Sequence, residues 1–239
     1  MSRLAGKRAI VTGAGSGLGA AIAKAFADEG AQVLGFDIRH AAPRPDFPMT
    51  TVEGDVRDTA AVNAAVERAA TEFGGIDVLC NAAGIAAFGR VEEIDEIDLA
   101  AVMDVNFYGP FRFIKAAVPH LLASPGGSII NIASVGAIRS RPNLSGYAAS
   151  KAALLGLSRG IAIDYADQGI SVNSILPGVF DTPMIGSAEG VAARAARGQP
   201  AGRVGRPSEI AALAVLLASD DCRYATGSEF IVDGGRSAT

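Results

Sequence analysis

The chain has 239 residues, 49% of them hydrophobic and 19% charged, with a mean hydropathy of +0.30. That balance excludes a disordered chain, and the length fits one α/β domain over residues 1–239 better than two independent ones. A net charge of −4 and a pI of about 5.2 argue against a nucleic-acid partner bound on a broad basic face.

The predicted elements alternate along the chain. Lys7–Gly13 is a short apolar run ending in glycine and reads as a buried strand. Leu18–Glu29 is alanine-rich, with Ile22 and Phe26 four apart, and reads as a helix ended by Gly30. Ala31–Asp37 and Thr50–Val56 are the second and third strands. Between them, prolines at 43, 45 and 48 exclude a helix interior, so this crossover is expected to be a bare loop. Asp58 caps a helix over Thr59–Phe73, and Ile76–Gly84 is the fourth strand. A helix over Asn106–Leu122 precedes a fifth strand, Gly126–Ser134. A helix over Tyr147–Tyr165 leads to a sixth strand, Ile170–Leu176. Pro207–Ala218 is helical and Glu229–Val232 is the seventh strand. Thr182–Arg206 carries five glycines and no clear period, so a flexible loop with short helices is expected there. Apolar strands alternating with helices imply a Rossmann-type α/β fold, a doubly wound parallel seven-stranded sheet with helices on both faces.

Two cysteines, Cys80 and Cys222, are too few for a disulfide framework. The sequence has neither HExxH nor paired CxxC, so no metal is expected. Only three apolar residues, Ala9–Val11, follow the basic N-terminal ones, too few for a signal peptide. The longest stretch free of acidic and basic residues other than histidine, Ala116–Ile138, holds prolines, glycines and Asn131 and does not read as a membrane span. A soluble, cytoplasmic protein with no membrane partner is expected.

TGAGSGLG, Thr12–Gly19, follows the first strand and opens the first helix. Gly13 lets the chain turn sharply out of the strand. Gly17 and Gly19 allow a pyrophosphate to approach and the helix to pack close to the sheet. Ser16, Leu18 and the helix N-terminus complete a phosphate site. The alternative is a tight βα turn whose glycines serve packing alone. Asp37 ends the second strand 18 residues after Gly19, where a carboxylate can accept from ribose hydroxyls and repel a 2′-phosphate. This favours NAD over NADP, and Ile38 beside it counts among the cofactor-binding residues. Arg39 is the counter-argument, since an arginine can hold that phosphate. Asp55 and Val56 fall beside the adenine pocket of such a sheet, or in a simple turn.

YAASK places Tyr147 and Lys151 on one helix face. An ammonium about 5 Å away, at an effective dielectric near 20, favours phenolate by roughly 3 kcal/mol. That is on the order of two pKa units, enough for acid–base work near neutrality. Ser134, 13 residues earlier at a strand end, can donate to the same substrate oxygen.

TGAGSGLG, NAAG (Asn81–Gly84), Ser134, YAASK and PGVFDT (Pro177–Thr182), in this order and spacing, resemble the short-chain dehydrogenase/reductase family from Lys7 to Gly235. The resemblance implies that Asn106 positions Lys151 and a proton-relay water. It implies that Asn81, Ala82, Ala83 and Gly84 support the sheet beside the cofactor. Pro177, Gly178, Val179 and Thr182 fall at the nicotinamide, with Val179 and Thr182 holding its carboxamide. It also implies a homotetramer or dimer built on the Asn106 and Tyr147 helices. Ala82 replaces a frequent second asparagine, and the second crossover is short. The longer tyrosine-to-lysine spacing of the family's enoyl reductases is absent, which argues against C=C reduction.

The reading is therefore an NAD-dependent oxidoreductase that interconverts a small-molecule secondary alcohol and a ketone. Ser134 and Tyr147 bind the hydroxyl, and Tyr147 takes its proton. That proton leaves through Lys151, the ribose hydroxyls and a water near Asn106. The alternatives are an NADPH-dependent 3-oxoacyl-thioester reductase and a non-catalytic dinucleotide sensor or scaffold. The substrate pocket is expected from Ala86–Phe88, Ile138–Leu144, Phe180 and the loop Met184–Pro200, with Phe88, Ile138, Leu144, Phe180, Met184 and Ile185 as an apolar wall. Arg139 and Arg141 could hold an anionic substrate group or be solvated or interface residues.

Overall fold

The structure is a computed structural model describing residues 2–39, 47–185 and 196–239. Its strands are β1 (Arg8–Thr12), β2 (Gln32–Asp37), β3 (Thr50–Glu53), β4 (Val78–Asn81), β5 (Ser128–Ile132), β6 (Ser171–Pro177) and β7 (Glu229–Val232). They form one sheet in the order β3-β2-β1-β4-β5-β6-β7, and every pairing is parallel. This is the doubly wound Rossmann-type fold that the alternation predicts.

Side chains alternate across each strand, which divides the core in two. On one face Val11, Val33 and Cys80 pack against Ile22 and Phe26 of α1 (Gly17–Asp28) and Ile210 and Val215 of α6 (Pro207–Ala218). On the other, Ile10, Leu34, Leu79 and Ile129 meet three helices: α2 (Thr59–Phe73), α4 (Gly109–Leu122) and α5 (Ser145–Tyr165). Asp58 caps α2 as expected, accepting from Ala60 N at 2.8 Å and Ala61 N at 3.3 Å. Three buried polar side chains join the layers: Asn81 Nδ2 donates to Asn131 Oδ1 at 2.8 Å, and Asn131 Nδ2 donates to Ser158 Oγ on α5 at 2.8 Å.

Several boundaries differ from the sequence reading; the third strand, for one, ends at Glu53 and not at Val56. The helix expected to start at Asn106 begins earlier, as α3 (Glu96–Met103), and runs into α4 through a π-helical turn over Asp104–Tyr108. Only Val102 of α3 is buried, so the segment carries little apolar periodicity to read. The fourth strand leaves the ladder at Asn81, because Thr12 Oγ1 takes the Ala82 and Ala83 amides at 3.1 Å each. Helix α5 starts at Ser145, two residues before Tyr147. Most of the proline-rich crossover, residues 40–46, and residues 186–195 of the 182–206 segment lie outside the described residues. Among the described residues, no helix is long and apolar enough to cross a membrane.

Candidate active site

Strand β1 lies between β2 and β4, so the chain winds away in opposite directions on either side of it. Ligands of such sheets bind at the carboxyl ends of the strands at this switch point. A cleft of about 710 Å³ opens there.

One end of the cleft is the turn after β1, lined by Gly13, Ser16, Gly17, Leu18 and Gly19. Gly13 has φ +69°, and a Cβ on it would lie 2.8 Å from the Ala83 backbone. A Cβ on Gly19 would lie 2.2 Å from the Gly13 carbonyl, so close packing of helix on strand requires glycine there. Ser16, the N-cap of α1, makes no side-chain capping bond, and the first turn holds no acidic residue. The helix N-terminus thus faces the cleft with its amide donors uncapped by a side chain.

Asp37 stands at the same end. Its Oδ2 accepts from Gly15 N at 2.9 Å and its Oδ1 from Arg39 N at 3.1 Å, which fixes the carboxylate in place. Ile38, 64% exposed, offers an apolar surface at the rim. Asp55 and Val56 line the wall, with Arg57 paired to Asp55 at 2.6 Å. That ion pair holds the Asp55 carboxyl below the usual carboxylate range. An uncapped helix N-terminus, a cradle closed to any Cβ and an anchored strand-end carboxylate fit a dinucleotide.

The other end holds the acid–base candidates. Ser134 leaves β5, its Oγ accepts from Gly136 N at 3.0 Å, and it lines the cleft together with Tyr147. Lys151 is buried one turn along α5, its Nζ donating to the Ile132 carbonyl at 2.8 Å and standing 6.0 Å from the Tyr147 ring centroid. Burial pulls the lysine down to about 8. Burial also raises Tyr147 above its ordinary value, while the Ser134 hydroxyl and the Arg141 charge act against that rise. The net direction is opposite to the one expected from an adjacent ammonium alone. The ammonium is turned toward Ile132, and desolvation of the phenolate dominates.

Asn106 is fully buried behind the cleft on the π-helical turn. Its Oδ1 accepts from Ile85 N and its Nδ2 donates to Ile85 O, each at 2.9 Å. Nδ2 also donates to Ser150 Oγ at 3.0 Å, and Ser150 Oγ donates to the Tyr147 carbonyl at 2.7 Å. One amide therefore ties the segment after Gly84 to the helix turn that carries Tyr147.

Ala82, Ala83 and Gly84 line the cleft, whereas Asn81 lies beneath it in the sheet. Pro177, Gly178, Phe180, Thr182 and Met184 form the opposite lip. Val179 faces a small second cavity, and its carbonyl accepts from Gly205 N at 2.9 Å. Ala86 and Phe88 join the lining; Leu144 is buried, with a backbone bridge to Gly89, and Ile138 is at the surface. Arg139 and Arg141 are exposed, and among the described residues neither makes an ion pair. The Ile185 side chain and residues 186–195 of the expected pocket lie outside the described set. The sequence reading missed Phe36, Arg57, Ile85, Val105, Ile132 and Ala133, which line the cleft without any motif of their own.

A seven-stranded doubly wound sheet with a glycine turn at one end of the cleft and a Ser–Tyr–Lys set at the other defines the class: a nicotinamide-dependent oxidoreductase. Comparison with known proteins gives the family. The model described as "Enoyl-(Acyl carrier protein) reductase" matches residues 13–237. The chain is 39% identical to the 2,5-dichloro-2,5-cyclohexadiene-1,4-diol dehydrogenase LinX of Sphingobium indicum, over 99% of this chain and 98% of that protein. It is 36% identical to the 3-oxoacyl-[acyl-carrier-protein] reductase FabG of Thermotoga maritima, over 98% of each. The structure of Thermoplasma acidophilum aldohexose dehydrogenase superposes with a TM-score of 0.94 at 35% identity, covering 100% of this chain and 96% of that one. The chain belongs to the short-chain dehydrogenase/reductase family of oxidoreductases.

Proposed function

We propose that the protein is an NAD-dependent oxidoreductase interconverting a secondary alcohol and a ketone, with Tyr147 as general acid and base. The observation that carries this reading is the gathering of Ser134, Tyr147 and Lys151 in the same cleft as the glycine turn and Asp37. The dinucleotide, when bound, supplies the hydride acceptor or donor. Gly13, Ser16, Gly17, Leu18 and Gly19 would hold its phosphates, Asp37 its adenosine ribose, and Ile38, Asp55 and Val56 its adenine. Pro177, Gly178, Val179 and Thr182 would flank the nicotinamide.

The chain's own part is positioning and proton handling. Ser134 Oγ and Tyr147 Oη hold the substrate oxygen between them. Tyr147 accepts the hydroxyl proton in oxidation and returns it in reduction. Lys151, largely protonated at neutral pH with a pKa near 8, supports the phenolate and relays the proton outward. Asn106 keeps Ile85 and Ser150 in register with that pair.

Asp37 supports NAD over NADP, because a 2′-phosphate would meet an anchored carboxylate at the place where the ribose hydroxyls bind. The four-residue step from Tyr147 to Lys151 supports carbonyl rather than C=C chemistry. Phe88, Phe180 and Met184 on the substrate side support a substrate with an apolar body. The chain is also proposed to assemble through α4 and α5, whose Phe111 and Ile163 are 42% and 81% exposed.

The test is a titration with NADH and NADPH followed by nicotinamide fluorescence, then NAD-linked oxidation of cyclic secondary alcohols and aldohexoses. Tight NADH binding and alcohol-dependent NADH formation are expected. NADPH preference with acetoacetyl-thioester reduction would shift the assignment to a 3-oxoacyl reductase. Nucleotide binding with no turnover would make the protein a sensor or scaffold.

A further inference from the structure

The π-helical turn that presents Asn106 is bridged on its outer side by Arg112. Asp104, Tyr108 and Arg112 follow at four-residue steps, so they stack in a column across the turn and into α4. Arg112 Nη1 pairs with Asp104 Oδ1 at 2.7 Å, spanning the whole turn, with both side chains partly buried. Its guanidinium lies 5.7 Å from the Tyr108 ring centroid. The same Nη1 donates to the Val56 carbonyl at 3.4 Å, and Val56 lines the far wall of the cleft. A Cβ on Gly109 would lie 2.9 Å from Val56 Cγ2, so the turn and the wall are in close contact. Asp55, Arg57 and Asp104 complete a cluster of alternating charge, in which Arg112 acts on Asp55 and Asp104 on Arg57.

A π-helical turn has fewer favourable contacts per residue than an α-helix and persists where its surroundings fix it. Here Asp104 and Tyr108 bound the turn, Arg112 grips both, and Asn106 sits between them with its amide on Ile85 and Ser150. We infer that Arg112 is a positioning residue, clamping the 104–108 turn to Val56 so that Asn106 is held in register with Ile85 and with the Tyr147 segment of α5. The consequence for turnover rests on the oxidoreductase reading above; the clamp itself does not.

The experiment pairs two readouts on Arg112→Ala and Arg112→Lys. Amide hydrogen exchange across residues 104–109 reports the clamp without any turnover. Faster exchange in Arg112→Ala than in wild type is expected, with partial recovery in Arg112→Lys, which keeps the pair with Asp104. In steady state at saturating cofactor, kcat of Arg112→Ala should fall about 10- to 100-fold, the scale of a small misplacement of reacting groups. KM for the alcohol should change little, and Arg112→Lys should recover part of the loss. Combined with Asn106→Ala, the losses should be strongly less than multiplicative. Unchanged exchange in the turn overturns the clamp. Loosened exchange with normal kcat, or multiplicative losses with Asn106→Ala, overturns the link to Asn106. If no alcohol is turned over by wild type, the function reading fails, while the exchange result still decides the clamp.

Discussion

Lys151 donates to the Ile132 carbonyl at 2.8 Å, so the buried ammonium is anchored to the end of β5, 6.0 Å from the Tyr147 ring centroid. A buried cation held in this way costs stability wherever it stays protonated. With its pKa pulled from 10.5 to about 8, the folded chain binds fewer protons than the unfolded chain between those two values. Stability from this group therefore rises with pH across that window and is lowest below it. Replacing Lys151 by Met removes the titration. The stability difference between the two proteins should move in favour of wild type by about 3 kcal/mol as pH goes from 7.5 to 10.5. Parallel denaturation curves for wild type and Lys151→Met at each pH give this difference. A gap independent of pH would show that the lysine is not desolvated.

Arg141 acts on Tyr147 electrostatically, against the rise that burial imposes. Removing the charge should leave the phenol higher still, so the rising limb of the oxidation rate should move to higher pH in Arg141→Ala. Arg139→Ala should leave it in place. A pH–rate profile for the two variants distinguishes them, and a substrate with an anionic group would add an increase in KM for Arg141→Ala. No movement of the limb would mean that Arg141 is only a solvated surface charge.

Asp37 is held by two backbone amides, and Gly15 is packed so closely that a Cβ would lie 2.9 Å from the carboxylate carbon. Asp37→Ala should weaken NADH binding by about 10-fold or more, the loss of a charge-assisted pair of hydrogen bonds. It should also narrow the gap to NADPH, because the repulsion is gone and Arg39 remains. Fluorescence titrations of the variant measure both. An unchanged preference would place the discrimination elsewhere.

Much of this architecture was legible in the sequence. Ile10, Leu79 and Ile129 sit in unbroken apolar runs because the parallel sheet is covered on both faces, and such runs are readable without alignment. Asp58 marks the start of α2 by capping chemistry. The glycine turn and the Tyr147–Lys151 step were readable because spacing within one element fixes geometry. What was not readable depends on contacts between distant segments. Helix α3 has one buried residue, and the π-helical turn has no local signature. Phe36, Ile85 and Ile132 reach the cleft only through strand order. The protonation balance at Tyr147 was likewise hidden, since it turns on burial and on where the Lys151 ammonium points.

The central claim, that Tyr147 performs the proton transfer in a dinucleotide-dependent oxidation, is tested most directly by Tyr147→Phe. The substitution removes one hydroxyl and keeps the ring that fills the site. NADH affinity by fluorescence should stay within about twofold of wild type, while kcat for the alcohol should fall by 10²-fold or more, on the order of a lost general base. Near-normal turnover in that variant, with affinity intact, would contradict the account.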